Sequence, residues 1–204
     1  EEEFLDWASK VERDSDRKVA FLCELKIDGL AINLRYERGL LVSAATRGNG
    51  QVGDDVTANI RYVPGILERL EGEGHPEIVE IRGEIFLAKA AFERLNEGLA
   101  GFRERYVARA EERAAARGRP FDREKSEDAA KRRFPALANP RNAASGGLRQ
   151  QIEKKDDELD REAGLARLES LSLYVHGIGA WPDPPVAAQS EVYGLISGWG
   201  LPTS

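Results

Sequence analysis

The sequence lacks several residue types, and each absence narrows the class of protein. It contains no methionine and a single cysteine, Cys23, in 204 residues. One cysteine excludes an intramolecular disulfide and a cysteine-rich zinc site, so we expect a reducing, cytoplasmic setting. Because Cys23 follows an apolar run, we expect its thiol to be buried and unreactive. No apolar run is long enough to span a membrane.

Basic residues are fewer than acidic residues. Lysine and arginine together number 30 against 36 acidic residues, which gives a net charge of −6. This balance argues against strong nucleic-acid binding by the chain as a whole, but it leaves room for a local basic cleft. From the missing methionine and the opening Glu1-Glu2-Glu3 we expect a piece of a longer protein.

The hydrophobic periodicity predicts an α+β fold, with antiparallel sheets flanked by helices. Apolar residues at helical spacing predict a helix over the first dozen residues. Alternating and β-branched residues predict strands at 19–23, 30–36, 40–46, 77–87 and 168–179. Shorter helices are expected at 56–62, at 89–95 and after Pro140. The glycine-rich residues 47–55 lack the lysine of a phosphate-binding loop, so we interpret them as a turn.

We interpret residues 1–204 as the core of one domain, interrupted by charged surface segments. Residues 97–133 are dense in arginine and glutamate, which predicts an exposed helical hairpin or a partly disordered insertion divided near 118–120. Residues 151–166 are interpreted as another charged surface stretch. Residues 181–204 are predicted to form a linker and a terminal helix.

Lys26 is the residue whose position most needs an explanation. In the stretch "CELKIDG" it interrupts two apolar runs. In an extended strand Glu24, Lys26 and Asp28 would share one face. Lys26 would then have two structural interpretations: its amine reaches water while its stem packs, or it pairs with one of the acids.

A chemical interpretation of Lys26 makes a further demand. A nucleophilic lysine must be partly neutral, although its reference pKa is about 10.4. Burial and nearby cations lower that pKa, whereas acids raise it. Candidate cations lie at the ends of the predicted core strands and helices: Arg47, Arg82, Arg141 and Arg149. Neither His75 nor His176 is expected to take part in catalysis.

Four motifs in order carry a resemblance to a known family: "CELKIDGLA", "SAATRGNGQVGDDVTANIR", "VEIRGEIFL" and "NPRNAASGGLRQ". Together they closely resemble the adenylation (nucleotidyltransferase) domain of bacterial NAD-dependent DNA ligases. The resemblance implies that a lysine attacks the α-phosphorus of NAD and forms lysyl-AMP. The AMP then passes to the 5′-phosphate of a nick, which the 3′-hydroxyl seals.

The resemblance also assigns roles to individual residues. It implies Lys26 as the nucleophile, Asp28 as its organiser, Glu24 at the adenine, Gly29 at the close turn, Arg47 near the nucleotide, Glu84 at the ribose hydroxyls, and Arg141 and Arg149 at phosphates in later steps. NAD and Mg²⁺ are the expected cofactors, with no metal site made by the protein. Nicked double-stranded DNA is the expected partner, no membrane is involved, and a monomer is expected.

Two alternatives stay open. The family carries an amino-terminal module that holds nicotinamide and later strands with two further lysines, so we expect this chain to be truncated at both ends and impaired in self-adenylation. It could instead bind adenosine nucleotides without turnover. A third interpretation keeps the lysyl chemistry but uses ATP; "NPRNAASGGLRQ" argues against it.

Overall fold

The computed structural model describes residues 1–15, 18–181 and 183–203. Its elements, in chain order, are α1 (Glu2–Ser15), β1 (Leu30–Glu37), β2 (Leu40–Thr46), α2 (Thr57–Ile60), β3 (Ile78–Phe86), α3 (Lys89–Ala116), α4 (Arg123–Arg133), α5 (Pro140–Leu148), α6 (Glu158–Glu169), β4 (Ser172–Ile178) and α7 (Gln189–Gly198). The predicted α+β class is confirmed. None of the helices in these ranges combines the length and apolar character needed to cross a bilayer.

A four-stranded sheet in the order β2-β1-β3-β4 forms the centre of the molecule, and each neighbouring pair is antiparallel. Side chains alternate across it, as a strand period of two requires. On β3, Val79, Ile81 and Ile85 are buried, whereas Glu84 between them is half-buried on the other face. One face therefore forms the core, and the opposite face is free to carry polar groups.

Helices α5 and α7 cover the core face of the sheet. Ala144 and Leu148 of α5 and Ile196 of α7 are fully buried in the same cluster as the strand residues. Helix α5 begins where the sequence places a helix start: the Asn139 side chain accepts a hydrogen bond from the Asn142 backbone N–H at 2.8 Å, and Pro140 follows the cap. The small residues of α5 let it lie close to the sheet.

The charged segment 97–133 forms a helical hairpin, as one of its two predicted forms required, but it is better packed than expected. Helix α3 already starts at Lys89, so the predicted helix 89–95 and the first half of the insertion are one element. Leu99, Phe134 and Leu159 form a second small core beneath the hairpin. Leu159 belongs to α6, and both it and Ile152 are buried, so residues 151–166 are not a surface stretch throughout. Their charged residues are exposed or half-buried, as expected.

The predicted strand at 19–23 is absent. Residues 18–28 have no regular secondary structure, and Leu25 is 73% exposed. Cys23 is exposed as well, so the expectation of a buried thiol was wrong. Apolar content alone suggested a strand, but a strand also needs a neighbour, and no described strand pairs with these residues. Lys26 therefore lies in an irregular segment at the surface, where the Ile27 N–H donates to the Leu25 carbonyl at 3.0 Å, and not within a buried strand.

Candidate functional site

One end of the sheet gathers every segment that the sequence marks for chemistry. Because neighbouring strands are antiparallel, the start of β1 lies beside the ends of β2 and β3 and the start of β4. The register makes this explicit: Glu84 pairs with Ala31 on one side and with Tyr174 on the other. The segment before β1 and the loop after β2 therefore meet at this end.

A polar cavity of about 810 Å³ opens at this end of the sheet. We call it the main cavity. It is lined by Lys26, Ile27, Asp28, Gly29, Leu30, Ala31, Thr46, Arg47, Gly48, Asn49, Asp54, Glu84, Arg141 and Arg149. Seven of the eight residues that the resemblance implied line it; the eighth, Glu24, lies in an adjoining cavity.

Gly29 ties the Lys26 segment to the sheet. Its backbone N–H donates to Glu84 Oε1 at 3.2 Å. A Cβ at this position would lie 2.2 Å from the carbonyl oxygen of Ile85, well inside van der Waals contact. Only glycine allows the chain to pass this close to β3, and the close passage brings Lys26 and Glu84 to the same cavity.

Glu84 has a perturbed carboxyl group. Partial burial raises its pKa above the ordinary value, because desolvation disfavours the charged form. The Gly29 N–H and the charges of His176, Arg141 and Lys26 act in the opposite direction. Glu84 is therefore a carboxylate held among cations and donors, suited to accepting hydrogen bonds from hydroxyl groups.

Arg141 of α5 and Arg149, which directly follows α5, line the main cavity, and each forms an exposed ion pair. Arg141 Nη1 lies 2.7 Å from Asp28 Oδ1, and Arg149 Nε lies 3.3 Å from Asp54 Oδ2. All four side chains are at least half exposed, so each pair contributes about 0–1 kcal/mol. An anionic ligand could replace these carboxylates at small cost, because an arginine fork binds phosphate oxygens as readily.

The loop after β2 forms the opposite wall. Gly48 has a φ of 52°, and its Cβ would lie 1.8 Å from the Val52 carbonyl oxygen, so the turn requires glycine there. The Asn49 side chain accepts hydrogen bonds from the backbone N–H groups of Gln51 and Val52 at 3.0 and 2.9 Å. The loop is thus a built turn, as predicted, and it directs Arg47 toward the cavity.

A smaller cavity of about 340 Å³ adjoins the first and shares Lys26 and Glu84 with it. Its other lining residues are Glu24, Leu25, Ile27, Tyr174 and His176. The Tyr193 hydroxyl of α7 donates to Glu24 Oε1. The Tyr174 ring lies 5.2 Å from the Phe86 ring on the neighbouring strand, so this cavity has an aromatic wall. The two cavities together could hold a planar apolar group beside a charged one.

The structure changes one expectation about the site. Glu24, Lys26 and Asp28 do not present one face, since Asp28 pairs with Arg141 and Glu24 with Tyr193. Arg82, to which the resemblance assigned no role, lines neither cavity. Sequence reasoning did not single out Asp54, Tyr174 or Tyr193; only Asp54, inside the second motif, carried a local signal. His176 lines the smaller cavity, and the expectation that it takes no part in catalysis stays a prediction.

The metal chemistry of the main cavity is limited by its donor set. Among the described residues, no group of three or more His, Cys, Asp or Glu side chains could hold a metal ion. Asp28 and Asp54 are already paired with arginines. These residues do not fit a magnesium ion held by the protein alone. Lysine and arginines instead give the cavity four cationic groups against three carboxylates, which suits a phosphate-bearing ligand.

Comparisons with known proteins agree with this geometry. A sequence model described as the NAD-dependent DNA ligase adenylation domain matches residues 1–135. A DNA ligase from Leifsonia xyli subsp. xyli is 52% identical over the whole chain, and one from Clavibacter sepedonicus is 48% identical over the whole chain. One from Thermobifida fusca is 40% identical over 97% of it. The chain spans only 21–23% of the length of these relatives. The chain belongs to the family of NAD-dependent DNA ligase adenylation domains.

Proposed function

We propose that this chain carries the nucleotide-transfer step of an NAD-dependent DNA ligase, with Lys26 as the nucleophile. The Nζ of Lys26 would attack the α-phosphorus of NAD and form a phosphoramidate N–P bond. The pyrophosphate P–O bond would break, and nicotinamide mononucleotide would leave with the bonding electron pair. The AMP would remain on Lys26 for later transfer.

One observation supports this proposal most strongly. Lys26 lies at the junction of the two cavities, and its charge acts on Glu84 across that junction. In the described part of the chain, no side chain holds the Lys26 ammonium in a hydrogen bond or an ion pair. The amine is therefore available to a ligand at the position where the smaller cavity, with its aromatic wall, meets the larger cationic cavity.

The surrounding residues have donor and acceptor properties that match an adenosine monophosphate group. The half-buried carboxylate of Glu84 suits the ribose hydroxyls, and the carboxylate of Glu24 suits the exocyclic amine of adenine. Tyr174 offers a ring for base stacking. Arg47, with Arg141 of α5, suits the phosphate oxygens.

The remaining assignments concern the later steps. Arg149 would bind phosphate at the nick, and Asp28 would keep Arg141 and the Lys26 segment in register until the phosphate arrives. Gly29 provides the close passage to β3. Nicked double-stranded DNA is the proposed acceptor in the longer protein, which we expect to act as a monomer in the cytoplasm.

Mg²⁺ enters this proposal only with the nucleotide. Because the cavity residues do not form a cage for the ion, it would be bound by phosphate oxygens and water, as is common for this metal. We keep the expectation that the 204-residue chain reacts slowly with NAD, since Lys26 is exposed and the nicotinamide half has no identified contacts.

The choice of nucleotide distinguishes this proposal from its alternatives. The chain would be incubated with NAD or ATP, each labelled in the α-phosphate, and the protein-bound label would be counted. Slow labelling from NAD alone, abolished in Lys26→Ala, is the expected result. Labelling from ATP alone would favour the ATP-dependent alternative. Calorimetric AMP binding without any label from either nucleotide would favour a binding module.

A further inference from the structure

A second cationic cleft lies on the helical hairpin, far from the main cavity. It has a volume of about 270 Å³. We call it the hairpin cleft. Its lining residues are Tyr106, Arg109, Ala110, Arg113, Ala114, Arg117, Arg119, Pro120, Asp157 and Leu159. Four arginines thus face a single carboxylate in a chain whose overall charge is −6.

The arrangement of these arginines follows from the helical period. Arg105, Arg109, Arg113 and Arg117 occur at every fourth residue, so they form one stripe along α3 and its carboxyl end. Like charges at this spacing destabilise a helix when nothing neutralises them. We therefore expect anionic groups along this stripe of four arginines to neutralise their charges.

Helix α6 supplies anions to the first half of the stripe. Arg105 binds Glu162 through two hydrogen bonds of 2.6 and 3.0 Å. Arg109 lies 3.2 Å from Glu158 and 3.8 Å from Asp157. Asp157 caps the start of α6, and Glu158 is its first residue. Helix α6 therefore does not reach the rest of the stripe, although α3 continues.

The second half of the stripe extends beyond α6. Within the described residues, no carboxylate pairs with Arg113, Arg117 or Arg119. Asp157, the only acid lining the hairpin cleft, is already shared between Arg109 and Arg133, whose Nη2 lies 3.4 Å from it. Three arginines that line one concave surface therefore have no carboxylate partner among the described residues.

We propose that the hairpin cleft binds the phosphodiester backbone of duplex DNA at a site separate from the nucleotide cavity. Planar guanidinium forks match phosphate oxygens, and a duplex supplies phosphates at regular spacing. The choice of DNA over another polyanion rests on the proposed function. The apolar floor of Ala110, Ala114 and Leu159 has no base-reading groups, so the contact is independent of sequence.

The distance between the two sites suits a duplex and excludes a single nucleotide. Helix α3 starts at Lys89, next to the cavity end of β3. Arg113 lies 24 residues further along, roughly 36 Å of helix at 1.5 Å per residue. One turn of duplex DNA covers about 34 Å, so a substrate of a few turns is long enough to contact both sites.

Salt-dependent binding tests this proposal. A fluorescent nicked duplex of about thirty base pairs, three helical turns, would be titrated with the chain at several salt concentrations and followed by anisotropy. Each lost phosphate contact lowers the slope of log affinity against log salt by about 0.9. Arg113→Gln/Arg117→Gln should therefore lower the slope by about 1.8, and Gln maintains the helix.

Matched variants control for charge and folding. Arg69→Gln/Arg132→Gln removes two exposed arginines outside the cleft and should leave the slope unchanged. Arg119→Gln, in the turn between α3 and α4, should lower it by about 0.9 and serves if the double variant does not fold. Equal slopes for the cleft and control variants would overturn the proposal. So would a polyglutamate peptide that occupies the cleft in preference to the duplex.

The test also separates this proposal from the proposed function. The salt slope is measured without NAD, so it requires no adenylation of Lys26. The cleft double variant should bind AMP as the unmodified chain does in calorimetry. A slope that depends on the cleft, in a chain that is never adenylated, would refute only the proposed function.

Discussion

At the scale of single residues, Glu84 is the group whose environment has the most direct functional consequence. Burial raises its pKa, so it takes up a proton at a higher pH than an ordinary glutamate with a pKa of 4.5. The protonated form is uncharged and has fewer acceptor sites than the carboxylate, so it binds hydroxyl donors less strongly. Ligand binding and folding should therefore both depend on pH through this one group.

The affinity for adenosine should fall as the pH is lowered through the raised pKa of Glu84. Adenosine is the appropriate probe because it has no phosphate to titrate. Calorimetry across mildly acidic pH should show this loss in the unmodified chain. Glu84→Gln should bind adenosine more weakly at neutral pH and with a flatter pH profile. An identical profile for both proteins would exclude Glu84 as the ribose ligand.

Folding should change with pH in the opposite direction. A carboxyl group whose folded pKa is raised binds its proton more tightly in the folded state. The free energy of unfolding should therefore decrease as the pH rises from the unfolded pKa to the folded pKa of Glu84. Urea titrations should show this decrease in the unmodified chain, and its size should shrink in Glu84→Gln.

Gly29 offers a second prediction at this scale. Gly29→Ala would force the added Cβ to within 2.2 Å of a backbone carbonyl, so β3 or the Lys26 segment must move. We expect a loss of about 1–3 kcal/mol in the free energy of unfolding, together with weaker adenosine binding. Gly177→Ala, whose Cβ would meet nothing within 4 Å, is the matched control and should not lose stability.

At the scale of elements, the sequence predicted those that carry their own pattern. Strands β1, β2 and β3 were placed within about two residues, because alternation and turn residues mark their ends. The start of α5 was visible from Asn139 and Pro140. The failed strand at 19–23 was apolar but had no partner to pair with, and pairing is not encoded locally.

The helical hairpin shows why its packing escaped prediction. Leu99 lies on α3, Phe134 directly follows α4 and Leu159 lies on α6, so no single window contains an apolar stripe. Their contacts arise only when α3, α4 and α6 come together. Arg133 adds hydrogen bonds of 2.8 and 2.6 Å to Asp160, which lower the pKa of that carboxyl group.

The hairpin core should therefore be a real contributor to stability. Phe134, which is 4% exposed, contacts Phe102 and Tyr106. Phe134→Ala should reduce the free energy of unfolding by about 3–5 kcal/mol in urea titrations. Phe4→Ala, at a ring that is 46% exposed on α1, should cost about 1 kcal/mol or less. Equal losses of unfolding free energy in the two variants would mean that the hairpin has no tightly packed core.

At the scale of the whole molecule, the site is an assembly of distant segments. The sequence identified Lys26, Glu84 and the α5 arginines through ordered motifs, yet it could not give their distances. It could not place Tyr174 and His176 at the smaller cavity, because their position depends on β4 lying beside β3. The motifs could be recognised within short stretches of sequence, whereas the shape of the two cavities depends on the antiparallel register of the sheet.

The central claim is that Lys26 receives AMP at the junction of the two cavities. Intact mass spectrometry and peptide mapping after prolonged incubation with NAD and Mg²⁺ would test it most directly, with Lys26→Ala as the control. We predict a partial mass gain of one AMP group, mapped to Lys26 and absent from the control. An AMP group on another residue, an equal gain in Lys26→Ala, or no gain in a chain that binds AMP would contradict the claim.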